Sequence, residues 1–164
     1  MYLKKLKTMN KGQKYIYYLA ELISIIQEKR LELIAANSTD VYEIGQLSGY
    51  TSLLDYIKQL ATENGLAIKV LGFDVTIQNH INTDELQNEN YTNYKKILPK
   101  IVGYIIETLI STRQKKDLKS QGELFAYYDI ITIMKEQAEL SFKISATELG
   151  MKGKNLEELA FAQI

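Results

Sequence analysis

Cysteine is absent from the 164-residue chain, which excludes disulfides, thiolate nucleophiles and zinc sites built on sulfur. Histidine occurs once, as His80. A di-iron carboxylate centre in a helical bundle needs Glu-x-x-His pairs projecting inward, and the residue three before His80 is Ile77. The usual nucleophilic triads lose their base for the same reason and would have to recruit lysine. No Ser-x-x-Lys at a helix start supplies that arrangement, and the phosphate-cradling patterns G-x-x-x-x-G-K and G-x-G-x-x-G do not occur. Carboxylate pairs such as Glu85 with Glu89, or Glu157 with Glu158, read as solvated helix faces. The expectation is a protein that is not an enzyme, with no catalytic residue, metal or cofactor.

Charge of one sign is also missing. Twenty Lys and Arg balance twenty Asp and Glu, so no whole-molecule field advertises a nucleic acid or an anionic membrane. No apolar run approaches the roughly 18 residues that a membrane-spanning helix requires. Lys4, Lys5, Lys7, Lys11 and Lys14 precede the apolar stretch from Tyr15 to Ile26, but Glu21 interrupts it and no small-residue cleavage pattern follows. That stretch reads as an amphipathic first helix of a soluble, cytoplasmic protein.

What is present is an internal repeat. Residues 45–61 (GQLSGYTSLLDYIKQLA) reappear 77 positions later as residues 122–138 (GELFAYYDIITIMKEQA). Leu47, Tyr50, Leu54, Ile57 and Ala61 advance by three, four, three and four residues, the spacing that puts them on one helix face. Leu124, Tyr127, Ile131, Met134 and Ala138 match them position by position. Asp40 with Glu43, and Ser120 with Glu123, supply a capping oxygen and a glutamate three residues on for each helix start.

Before each repeated helix lies a longer apolar one. Its stripe is Tyr15, Leu19, Leu22, Ile26 and Leu33 in the first copy, and Tyr94, Leu98, Ile101, Ile105 and Leu109 in the second. Ala36 to Thr39 and Lys115 to Lys119 are the turns between them. The only proline, Pro99, predicts a delayed start or a kink near Lys95 to Leu98. Gly49 and Gly103 are candidates for close backbone approach. Each copy then ends in a related fragment, Leu71-Gly72-Phe73 and Leu149-Gly150-Met151.

The fold expected is all-α and a single domain over 1–164: tandem duplicated helical hairpins packed as a four-helix bundle, with short extra helices after each hairpin at 66–73 and 144–162. Repeat one covers about 13–77, an asparagine-rich linker with a short helix from Asp84 about 78–90, and repeat two about 91–164. Ala67 to Ile77 has strand-like composition, but a lone strand lacks a partner.

Three surface features bear on function. Arg113, Lys115, Lys116 and Lys119 could touch phosphates, although cations at a helix end also oppose the helix dipole. The C-terminal stretch scans like a helix-turn-helix, with Ser145 to Leu149 before the turn and Leu156 to Ala162 after it. Its second helix carries Glu157 and Glu158, which repel a phosphate backbone. Finally, of the twelve tyrosines, Tyr15, Tyr50, Tyr94 and Tyr127 fall on core stripes and need only a hydroxyl partner. Tyr17 and Tyr128 fall off them, Tyr17 in line with Glu21, and Tyr128 in line with Lys135 and Glu139. Tyrosine beside charge is the composition of protein-binding surfaces.

The leading expectation is therefore a bacterial or phage protein of the inhibitor or immunity kind, binding an unidentified protein partner through Tyr17, Glu21, Tyr128, Lys135 and Glu139 and blocking it sterically. The alternative is a DNA-binding regulator that uses the C-terminal helices and the basic turn, in which a homodimer would pair the two turns.

Overall fold

The computed structural model describes residues 12–73 and 91–162. The chain is a helical bundle, with no strand among the described residues. Four long helices form it: α1 (Gln13–Ala36), α2 (Val41–Glu63), α3 (Tyr91–Thr112) and α4 (Leu118–Gln137). A π-helical turn (Ala138–Phe142) continues α4, and two short helices follow, α5 (Ala146–Leu149) and α6 (Leu156–Phe161). The expected order of helix, short turn, helix thus occurs twice. His80, Glu85, Glu89 and the linker with its expected helix lie outside the described residues.

Local chemistry sets the helix boundaries. At the start of α2, Asp40 accepts hydrogen bonds from the backbone N–H groups of Tyr42 (2.8 Å) and Glu43 (3.2 Å), satisfying donors that have no partner inside the helix. The start of α4 differs from expectation. Asp117, not Ser120, is the cap, accepting from Ser120 N at 2.9 Å and Ser120 Oγ at 2.8 Å. A carboxylate is the stronger acceptor, so it takes the capping position and Ser120 becomes a donor inside the first turn. Those hydrogen bonds hold the Asp117 carboxyl below its ordinary value.

Pro99 neither delays nor breaks α3, which begins at Tyr91 and runs on to Thr112. The proline is exposed, so the carbonyl that its missing N–H leaves unpaired lies on the side water can reach. The segment 66–73 is a reverse turn rather than a short helix. Leu71 N bonds Ala67 O and Gly72 N bonds Lys69 O, while Gly65 and Gly72 take positive φ, which ends any helical run. Leu66, Val70 and Leu71 are nonetheless buried over the open end of the hairpin. No strand forms over 67–73, and 74–77 lie outside the described residues. The second addition is helical as expected, with Ser145 and Glu148 forming a reciprocal capping box at the start of α5.

Each core tyrosine finds its hydroxyl partner. Tyr15 donates to Glu148 Oε1 (2.5 Å), Tyr50 to Asp129 Oδ2 (2.8 Å), Tyr94 accepts from Ala67 N (3.1 Å), and Tyr127 meets the Tyr104 hydroxyl (3.3 Å). Tyr18, fully buried, donates to the carbonyl of Met134 at 2.9 Å and meets Phe142 of the π turn edge-on at 5.4 Å.

The closest crossing joins the two repeated helices, α2 and α4. A Cβ on Gly45 would lie 2.0 Å from the carbonyl oxygen of Lys119, and one on Gly122 would lie 2.0 Å from that of Tyr42. A Cβ on Gly49 would lie 2.8 Å from the Ala126 methyl. Tyr42 and Lys119, Gly45 and Gly122, and Gly49 and Ala126 are each 77 apart, so the two helices exchange equivalent contacts across a local two-fold relation. Contacts advance in the same direction along both chains, so α2 and α4 run parallel. Leu47 and Leu124 are only half-buried, contrary to the expected stripe, because the glycines and not the leucines face the crossing. Gly103 has nothing within 4 Å of its would-be Cβ and is a tolerated glycine.

Gly45→Ala and Gly122→Ala should each destabilise the protein by about 3 kcal/mol, since the atom in the way is backbone and cannot rotate aside. Gly103→Ala should stabilise it by roughly 0.5–1 kcal/mol through helix propensity alone. Urea unfolding followed by circular dichroism measures all three.

Candidate binding groove

Because α2 and α4 run parallel, their first turns lie at one end of the bundle, beside the turn that leaves α3. A groove of about 830 Å³ opens there. Its side chains of consequence are Tyr42 from α2, Phe125 from α4, Phe161 from α6, and Arg113, Lys115 and Lys116 from the turn after α3. Phe125 is 43% exposed and Phe161 57%, unusual for phenylalanine outside a binding surface. The rings are paired rather than scattered: Tyr42 and Phe125 have centroids 6.3 Å apart, and Phe161 meets Tyr128 edge-on at 4.8 Å. Val41 and Leu118, the first residues of α2 and α4, add exposed apolar surface at the same end.

Two of the expected phosphate contacts, Lys115 and Lys116, line this groove and are exposed, Lys115 with the Asp117 carboxylate nearby. Arg113 lines it too, but its Nη1 donates to the carbonyls of Glu158 (3.3 Å) and Leu159 (3.0 Å). Those carbonyls lie in the last turn of α6, where that of Glu158 also accepts from Ala162 N and where a cation opposes the helix dipole. Arg113 therefore holds α6 against the bundle, and its Nε–H is buried without an acceptor. Lys119 is exposed but does not line the groove. Helix α6 packs on α3 and α4, and its outward glutamates Glu157 and Glu158 stand where a DNA-reading helix needs cations.

The expected tyrosine surface divides differently. Tyr17 is 7% exposed, not on the outer face, because Tyr15 through Leu19 are all buried and α1 has no solvent side there. Glu21 is half-buried and accepts from Gln137 Nε2 at 3.2 Å, and burial pushes its carboxyl up. Lys135 and Glu139 are exposed but stand apart from the groove. Tyr128 is half-buried and reaches the groove only through Phe161. Sequence reasoning missed Tyr42, Phe125 and Phe161. The available signal was the contrast at offset 77 between Ser48 and Phe125, a large apolar residue where the other copy has a small polar one.

Tyr42, whose hydroxyl burial pushes up, lines the groove, whereas the perturbed Tyr50 and Glu148 hold helices together. Burial, and then the Asp129 carboxylate, pushes the Tyr50 hydroxyl up; Asp129 also pairs with Lys29 at 2.9 Å. For Glu148, burial opposes ionisation. Hydrogen bonds from Tyr15 and from Ser145 N and Oγ, with Lys14 nearby, outweigh it and bring the carboxyl down to about 2. Lys95 adds a contact at 3.6 Å, so this one side chain links α1, α3 and α5. Among the described residues no group of three His, Cys, Asp or Glu could hold a metal ion, and no helix is long and apolar enough to cross a membrane. The chain matches no family model, no curated protein and no solved structure.

Glu148 is more acidic when folded than its ordinary value of 4.5, so its contribution is complete above that pH and is lost as pH falls toward 2. Glu148→Gln should cost about 1–2 kcal/mol at neutral pH, the linkage value discounted for its partial exposure. The variant should also flatten the stability profile between pH 4.5 and 2. Urea midpoints across that range check both effects.

Proposed function

We propose that the chain is a non-catalytic protein-binding protein that seats a partner in the groove at the end of the bundle and blocks it sterically, in the manner of bacterial or phage inhibitor and immunity proteins. The observation that carries this reading is the collection of half-buried Tyr42 and exposed Phe125 and Phe161 with Lys115 and Lys116 in one concavity. Aromatic anchors ringed by polar groups are the composition of interface hot spots. The rigid α2–α4 crossing presents them without a large ordering cost. That Glu148 and the core tyrosines Tyr15, Tyr18, Tyr50 and Tyr127 are engaged in packing, rather than facing the groove, further supports recognition over catalysis. A cytoplasmic setting belongs to the same proposal, and the expected surface of Glu21, Tyr128, Lys135 and Glu139 would be a secondary contact.

The regulator reading is weaker, because Arg113 is bound to α6 and the helix that would read bases is acidic. The test immobilises the chain and the double variant Phe125→Glu/Phe161→Glu, and passes nuclease-treated lysate from the source cell over both at about 150 mM salt. The expected result is one protein retained by the wild type at equal stoichiometry and lost from the variant. That protein, once purified, should bind the variant on the order of 100-fold more weakly. Equal retention by both forms, or none by either, would overturn the reading.

A further inference from the structure

The groove's charge identifies the kind of segment it takes. Acidic and basic residues are equally numerous in the chain, yet among the described residues the groove is lined by Arg113, Lys115 and Lys116 and by no Asp or Glu. Among the described residues the neighbouring acids do not line it: Asp117 caps α4 through Ser120 and stays ionised with Lys115 nearby, and Glu158 lines a separate hollow of about 360 Å³ that shares only Arg113 and Ala162 with the groove. The described lining itself thus carries an excess of cations, whose field low-dielectric walls strengthen.

Arg113 is committed elsewhere, its Nη1 held by the carbonyls of Glu158 and Leu159, so Lys115 and Lys116 supply the cations that a ligand in the groove can reach. The three aromatic side chains supply the other half of the recognition, apolar faces that would be wasted on a bare anion. A volume of about 830 Å³ suits one or two large apolar side chains with their backbone. The chain's own stretch 1–11 cannot match this charge, since Lys4, Lys5, Lys7 and Lys11 are of the same sign and it holds no acid.

We propose that the groove binds an acidic segment of its protein partner, with a large apolar side chain seated among Tyr42, Phe125 and Phe161 and flanking carboxylates paired with Lys115 and Lys116. This rests on the protein-binding reading and narrows it to a partner chemistry. Such a segment would dock as a short peptide motif read by anchors and charge, as other grooves read theirs.

The experiment displays random peptides of about 12 residues to the purified full chain and measures the enriched sequences by fluorescence anisotropy. The comparison proteins are Lys115→Glu/Lys116→Glu and Phe125→Ala, both at exposed positions and checked for helicity. Enriched peptides should combine a large apolar residue with two or more Asp or Glu. They should bind each variant about 10-fold more weakly. Duplex DNA should not displace them.

Peptides that are neutral or basic, or that bind both variants as well as the wild type, would overturn the inference. Displacement by DNA at similar concentration would overturn it in favour of a polyanion site. An empty selection would overturn the acidic segment alone if a purified partner still depends on Phe125 and Phe161, and in that case the protein-binding reading stands. Loss of that dependence would sink both.

Discussion

The contact between backbones at Gly45 and Gly122 is the constraint from which the rest of the bundle is arranged. Ordinary helix pairs sit 8–10 Å apart because side chains separate them, whereas here each glycine leaves room for the other helix's carbonyl oxygen. A glycine inside a helix costs about 1 kcal/mol relative to alanine, and two of them at equivalent positions mean that the close approach more than compensates. Carbonyls lying against glycine Cα–H groups add weak attraction at close range. The spacing of Gly45 to Gly49, and of Gly122 to Ala126, puts two small residues on one face one turn apart. Contact then extends over two turns instead of one point.

That crossing decides where everything else can go. With α2 and α4 locked parallel, α1 and α3 must run the other way to reach them through short turns, and their apolar faces close the core around Ile57, Ile101, Ile130 and Ile131. The C-terminal segment is then secured at two places by charge rather than by area. Glu148 ties α5 to α1 and α3, and Arg113 ties the end of α6 to the end of α3. A four-residue and a six-residue helix have too little apolar face to stay in place by burial alone. Their polar anchors are the Glu148 side chain of α5 and the Glu158 and Leu159 carbonyls in the last turn of α6.

Much of this was legible in the sequence, for identifiable reasons. The five-residue stripes located α2 and α4, since a helix with one buried face prints its period on the chain; the turn at Ala36 to Thr39 and the cap at Asp40 followed from local chemistry. Ser120 was misread because serine and aspartate are both good caps, and sequence alone does not say which of two candidates three residues apart starts the helix. Leu47 and Leu124 were misread because a leucine scores as core wherever it falls near a stripe, whereas burial of a glycine leaves no hydrophobic signal. Gly103 and Gly45 look alike in sequence, and only the neighbouring helix distinguishes them. Tyr17 shows the limit of stripe reasoning for a helix surrounded on all sides.

The groove was the least legible feature, because it is assembled from four separate stretches whose proximity depends on the crossing. Lys115 and Lys116 stood out as a basic cluster, and in isolation such a cluster points to phosphate. Its meaning changes once Tyr42, Phe125 and Phe161 are beside it and Arg113 is turned inward to hold α6. A nucleic-acid surface gains by spreading cations along a backbone track, whereas here two exposed lysines rim an apolar hollow. The same cations that would steer a polyanion weakly over an open face can discriminate strongly at the mouth of a hollow, where a wrong charge must be desolvated as well as repelled. The geometry thus gives the proposed selectivity for an apolar segment carrying acids a physical basis that the basic cluster alone, read in sequence, lacks.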